Sequence, residues 1–165
     1  VDTVGKACEG ITSVIDVCGP HSLAFCAGVC CESLGNLILA DYPQLLQTIG
    51  TLFTVDPNTT DSSASCVDNA VAVICWMIMA SPESVPIDQV FLPMLKALPL
   101  KIDIVENETV FKCLLGLIQG NHPQVAVSSA EFRRVLNEAM MEGSKVDEED
   151  KVKLRLALSA LALAQ

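Results

Sequence analysis

Eight cysteines and two histidines carry the chain's strongest potential for metal or nucleophilic chemistry. His21, Cys26, Cys30 and Cys31 fall within eleven positions. On a helix Cys26 and Cys30, four apart, share a face, whereas Cys31 points about 100° away. No paired C-x-x-C accompanies them, so the ligand spacing of a zinc site is missing. Packing in a helical core is the better account, because a free Cys behaves as a small buried hydrophobe. His21 and His122 each lie beside a proline or a turn, which suits a solvated or capping imidazole better than a general base. The sequence holds no nucleophile elbow, phosphate loop or H-E-x-x-H. The expectation is therefore no enzyme, no metal and no cofactor.

An even cysteine count also fits a secreted disulfide framework, and the N-x-[ST] sequons at Asn58 and Asn107 would suit that setting. Against it, most cysteines fall among Val, Leu and Ala at helical spacing, and Asn107 lies inside an expected helix, a poor glycan acceptor. A reducing, intracellular setting is the expectation.

The other chemistry on offer is negative charge. Twenty acids face ten Lys and Arg, a formal net charge of −10. Nucleic acid and anionic membrane surfaces are disfavoured as ligands, since both require a basic surface. Basic partners are the natural complement. Asp147, Glu148, Glu149 and Asp150 form one acidic run, and a solvated helix start suited to the helix dipole is its plainest reading. Asp68, Glu106 and Glu108, with Asn69, fall near the expected starts of two successive helices. Capping explains each singly; a ridge of acids on stacked repeats explains them together. These eight residues are the candidate partner-binding set.

The elements that must position them read as helices. Apolar residues make up 51% of the chain and aromatics only 4%, so Leu, Ala, Val and Ile supply the core. Val4, Ala7, Cys8, Ile11, Ile15 and Cys18 repeat at helical spacing, and Gly19-Pro20 stops them. A second stripe runs from Leu23 to Ile38. Asp41-Tyr42-Pro43 opens a third helix, with Asp41 as N-cap and Pro43 tolerated in the first turn. Residues 56–63 form the clearest loop. A fourth helix carries Val67 to Ile78. A fifth carries Ile87 to Leu98, with Pro93 expected to kink it. A sixth carries Ile104 to Ile118 and ends near Gly120-Asn121-His122-Pro123. A seventh carries Phe132 to Met140, with Ser128 or Ser129 as cap. An eighth runs from about residue 147 to 163. Trp76, the only Trp, is assigned to the core between repeats rather than to a partner anchor.

The two asparagines Asn69 and Asn107 are 107 − 69 = 38 positions apart, within matched helix openings. A period near 40 in a helical chain is the mark of stacked helix pairs of the HEAT or armadillo kind. One pair cannot bury its apolar face alone, so several stack. The expected fold is all-α: a right-handed α-solenoid of about four HEAT-type antiparallel helix pairs, with residues 1–165 forming a single fragment of a larger solenoid. Val1 is not an initiator methionine and no signal segment follows it, which reads as a boundary inside a longer protein. The longest unbroken apolar run, residues 70–80, falls short of the roughly 20 residues a bilayer span needs.

Asp68-Asn69-Ala70-Val71, Ala80-Ser81-Pro82, Val85-Pro86-Ile87 and the stretch Leu95-Lys96-Ala97-Leu98-Pro99-Leu100-Lys101-Ile102-Asp103 resemble the C-terminal HEAT repeats of the importin-β (karyopherin-β) receptors. The nearest branch is the one that imports ribosomal proteins and histones. There an Asp-Asn pair starts a helix and a Leu-Pro-Leu-Lys-x-Asp turn leads into the next. The likeness is specific over residues 68–122; elsewhere only the helix-pair rhythm supports it. No Asp and Arg ladder repeats in every second helix. The resemblance implies a nuclear transport receptor fragment that binds basic cargo of ribosomal-protein or histone kind and shuttles between cytoplasm and nucleus. It implies Ran binding through an N-terminal region that these residues do not include, and it admits nucleoporins as partners. A HEAT scaffold unrelated to transport is the rival reading.

Overall fold

The computed structural model describes residues 39–141, 146 and 148–163, except the side chains of residues 150, 157 and 160–163. The two helices expected over residues 4–38, and with them His21, Cys26, Cys30 and Cys31, lie outside the described residues. Seven α-helices occur within them and no strand: α1 (Tyr42–Leu52), α2 (Asp61–Ala80), α3 (Ile87–Ala97), α4 (Asn107–Gln119), α5 (Pro123–Val127), α6 (Ser129–Met140) and α7 (Glu148–Leu163). The fold is an all-α solenoid of helix pairs. In one layer α2 packs beside α4 and α4 beside α7; in the other α3 packs beside α6. Contacts of α1 with α2, α2 with α3 and α6 with α7 close the two layers on each other. This is the side-by-side order of second helices that a repeat of 38 residues demands.

Each helix follows from its stripe. Tyr42, Leu45, Ile49 and Leu52 are the buried face of α1, and Pro43 sits in its first turn, where a missing N–H costs nothing. Asp41 occupies the N-cap position, but its side chain does not accept from the first turn, contrary to the expectation. Phe91, Met94 and Leu95 bury one face of α3, and Pro93 lies inside that helix without ending it. The Phe91 and Phe132 rings meet across the α3–α6 interface with centroids 5.8 Å apart. Each such fully buried side chain contributes about 1.5–3 kcal/mol relative to exposure. One continuous core runs from Tyr42 to Leu154.

The start of α2 departs from expectation. Thr60 is its N-cap, accepting from the Ser63 N–H at 3.0 Å, so Asp61, Ser62 and Ser63 are helical rather than loop. The hydroxyl cap satisfies an otherwise orphaned donor, and Asp61 complements the helix dipole. The last three residues of the polar run that reads as a loop are therefore the capped first turn, and Asp68 and Asn69 move from a helix start to its third turn. By length and mean hydropathy alone α2 passes as a bilayer span, yet 78% of that stretch is buried within the protein. Its apolarity is that of a helix packed on three neighbours.

The end of α4 is a Schellman closure. The His122 N–H donates to the Leu117 carbonyl and the Asn121 N–H to the Ile118 carbonyl, both at 2.9 Å. Asn121 holds the left-handed position this closure needs, at φ 49°. Pro123 then starts α5, a five-residue helix where the sequence reading assigns none between the end of one helix and the cap of the next. Ser128 precedes α6 but gives it no side-chain cap; its carbonyl accepts from the Phe132 N–H instead.

Candidate functional site

The expected acidic ridge on the second-helix layer divides into an interior part and a surface part. Asp68 is 1% exposed. Its Oδ2 accepts three consecutive backbone N–H groups, from Lys101 at 2.9 Å, Ile102 at 2.7 Å and Asp103 at 3.0 Å. Asn69 is also buried; its Nδ2 donates to the Ser65 carbonyl at 2.8 Å and to Asp103 Oδ2 at 2.7 Å. The Ser65 hydroxyl donates to that same carboxylate oxygen. Lys101 Nζ donates to Asn58 Oδ1 at 2.6 Å, tying the turn to the loop before α2. A helix therefore holds the turn that follows the next helix, residues 98–103, by its backbone. The Asp-Asn pair and the Leu-Pro-Leu-Lys-x-Asp turn are the two halves of one clasp. Placing Asp68 and Asn69 on a surface ridge is thus corrected: the turn's backbone donors cover Asp68, and Asn69 is buried donating to the Ser65 carbonyl and the Asp103 carboxylate.

The other side of that turn is held by α6. Arg134 Nη2 donates to the carbonyls of Leu95, at 2.9 Å, and Leu98, at 3.1 Å. Both carbonyls lie at the end of α3, where the Leu95 carbonyl also accepts from the Leu98 N–H at 3.3 Å. Glu131 and Glu138 orient the guanidinium from one face of α6, at 2.7 and 2.6 Å.

The remaining acids stay nearer the surface. Glu106 is half-buried at the end of the short 3₁₀ turn Ile104–Glu106, and Glu108 is exposed in the first turn of α4. Glu148 and Glu149 are exposed and pair within α7 with Lys151 at 2.8 Å and Lys153 at 3.1 Å. Such pairs are worth little in water. Asp147 and the Asp150 side chain lie outside the described residues. The structure thus places Glu106 just before α4 and Glu108 in its first turn, and leaves Glu148 and Glu149 on the neighbouring helix.

Beside these acids a groove of about 690 Å³ opens across α2, α4 and α7. Trp76, Met79, Phe111 and Leu115 form its apolar floor, and Glu108, Lys112 and Lys153 are among its polar lining. Trp76 packs against the core, as expected, but also walls this groove. Nothing in the sequence signals it, because the groove is made by residues 77 positions apart on three helices.

Reactive groups elsewhere are internal. Cys66, Cys75 and Cys113 are free thiols, all buried. A hydrogen bond with Cys113, then burial, pushes the Cys75 thiol well up; burial, then the Asp103 carboxylate, pushes Cys66 up. Raised values keep a thiol protonated and unreactive. Among the described residues no cluster of His, Cys, Asp and Glu has the grouping of a metal site. His122 Nδ1 accepts from the Gln124 N–H at 3.3 Å, a helix cap. Of the two sequons, Asn107 is buried and the exposed Asn58 is engaged by Lys101.

No protein-family model matches the chain. Human importin-4 is 30% identical over 138 residues, covering 84% of this chain and 12% of that protein. The probable importin subunit beta-4 of Schizosaccharomyces pombe is 28% identical over 100 residues, covering 61% of this chain and 9% of that protein. The chain therefore spans about a tenth of the length of these relatives. Sequence likeness over most of the chain, on an all-α solenoid of helix pairs, leads to one assignment: the chain belongs to the importin-β family.

Proposed function

We propose that this chain is one stretch of a longer HEAT-repeat nuclear transport receptor and contributes to binding and importing basic cargo proteins of ribosomal-protein or histone kind. The observation that carries this reading is the −10 formal charge on a chain of this family, with Glu106 and Glu108 at the start of α4 and Glu148 and Glu149 on the helix beside it. Lysine-rich segments meet complementary potential there, which raises encounter rate and excludes acidic partners. Ran contacts belong to other parts of the receptor, and the protein shuttles between cytoplasm and nucleus. The chain's role is non-catalytic: it presents a charged surface on a stack whose small interface shifts add along its length.

The test is binding of a labelled lysine-rich peptide to the chain and to a Glu106→Gln/Glu108→Gln variant. Neutralising two acids near the surface weakens binding several-fold while helicity is unchanged. Equal binding by the variant means that the α4 acids are only solvated surface.

A further inference from the structure

The Asp68 clasp takes only main-chain atoms from the turn it holds, the N–H groups of Lys101, Ile102 and Asp103. Asp103 returns to Asn69 and Lys101 reaches Asn58, but the aliphatic side chains that follow have no part in it. Three of them stand outward: Ile102 is 42% exposed, Ile104 38% and Val105 79%. Apolar residues exposed singly are ordinary on a protein surface. These three fall within four positions, on a segment fixed at its base from α2. They are not the open end of the stack either. The turn leads into α4, which packs against both α2 and α7, so its repeat has a neighbour on each side.

Two carboxylates border the aliphatic group. The short 3₁₀ turn Ile104–Glu106 runs directly into α4, so Glu108 follows Ile104 by four positions and Val105 by three. At that spacing helical side chains are neighbours. The ion pairs among the described residues include neither Glu106 nor Glu108. The dipole of α4 accounts for acids at its start. It does not account for the aliphatic side chains beside them.

We propose that residues 102–108 form a contact for a short protein segment carrying an aliphatic side chain beside lysine or arginine. The aliphatic group packs against Ile102, Ile104 and Val105, and the cation lies against Glu106 and Glu108. The inference rests on the basic-cargo reading and sharpens it, because lysine content alone no longer defines the partner. Charge admits basic segments, and burial of apolar surface then ranks segments of equal charge. The clasp adds rigidity: a turn already fixed loses little freedom when a partner docks on it.

The test compares two labelled peptides of equal charge, one with leucines between its lysines and one with serines in their place. Each is titrated with the 165-residue chain and followed by fluorescence anisotropy. The leucine peptide is expected to bind about fivefold or more tightly than the serine peptide. The ratio of the two Kd values should hold between about 50 and about 300 mM salt while both peptides weaken, since salt screens charge and not apolar burial. Ile102→Ser/Val105→Ser, at the two most exposed of the three positions, should abolish the ratio and leave the serine peptide's Kd unchanged. Helicity by circular dichroism should be unaltered, because the clasp uses no side chain at residue 102. Binding of the serine peptide with no gain from leucine, or a gain that the double variant keeps, overturns this proposal alone. Binding of neither peptide overturns it together with the basic-cargo reading. Self-association of the chain in sedimentation velocity, lost in the double variant, gives the turn to a second copy and also overturns it.

Discussion

Asp68 and Asp103 hold each other in place without a cation between them. Asp68 Oδ2 accepts the Asp103 N–H at 3.0 Å, and the Asp103 carboxylate returns to α2 through Asn69 at 2.7 Å. Two acids thus meet across adjacent helix pairs, each satisfied by N–H and O–H donors rather than by an opposite charge. Backbone donors converging on one oxygen stabilise an anion as a helix N-terminus does. The partner of α2 is consequently fixed in register by main-chain atoms, which any side chain at residue 102 could supply.

Breaking the clasp should cost measurable stability. Asp68→Ala removes the acceptor of three N–H groups and is expected to lower stability by about 2 kcal/mol, moderated because water reaches the turn. Asp68→Asn keeps the shape and one acceptor and should cost about half as much. Urea unfolding followed by circular dichroism checks both; an Asp68→Ala chain as stable as the original would show that the turn holds itself.

The closure at the end of α4 makes a second prediction. Asn121 sits at φ 49°, where a Cβ is disfavoured and Asn is among the better-tolerated side chains. Asn121→Ala should destabilise the chain by about 1 kcal/mol, whereas Asn121→Gly should be neutral or slightly stabilising. The order of the two midpoints in thermal unfolding is the readout, and Ala above Gly would contradict the geometry.

Much of the described architecture was legible because helical stripes are long and strongly periodic. The stripes Tyr42-Leu45-Ile49-Leu52 and Phe132-Val135-Leu136-Ala139 are the buried faces of α1 and α6. The spacing of Asn69 and Asn107 gave the stacking order of α2 and α4. Two features were not legible. Thr60 capping a serine-rich first turn looks like more loop, since Ser, Thr and Asp serve both. That one misread boundary carried Asp68 from the interior to an imagined ridge. The groove was hidden for another reason: it exists only where α2, α4 and α7 lie side by side.

The thiols give a third prediction. In the native chain Cys66, Cys75 and Cys113 should resist a maleimide at neutral pH, and in denaturant without reductant all eight cysteines should react. Mass spectrometry counts the adducts; fewer than eight in the unfolded chain would mean native disulfides. The pH dependence has a definite sign. A thiol held up in the folded state stays protonated while its unfolded counterpart ionises near roughly pH 8.5. Stability from Cys66 and Cys75 is therefore fully present below that value and falls as pH rises above it.

The measurement closest to the central claim is the salt dependence of binding to a lysine-rich peptide, read by fluorescence anisotropy of the labelled peptide. If exposed acids on the second-helix layer receive basic cargo, Kd should rise about tenfold or more between about 50 and about 300 mM salt, as screening shortens the reach of each charge. The same peptide with glutamine at every lysine should not bind. Affinity that is insensitive to salt, or equal for the glutamine peptide, would contradict the account.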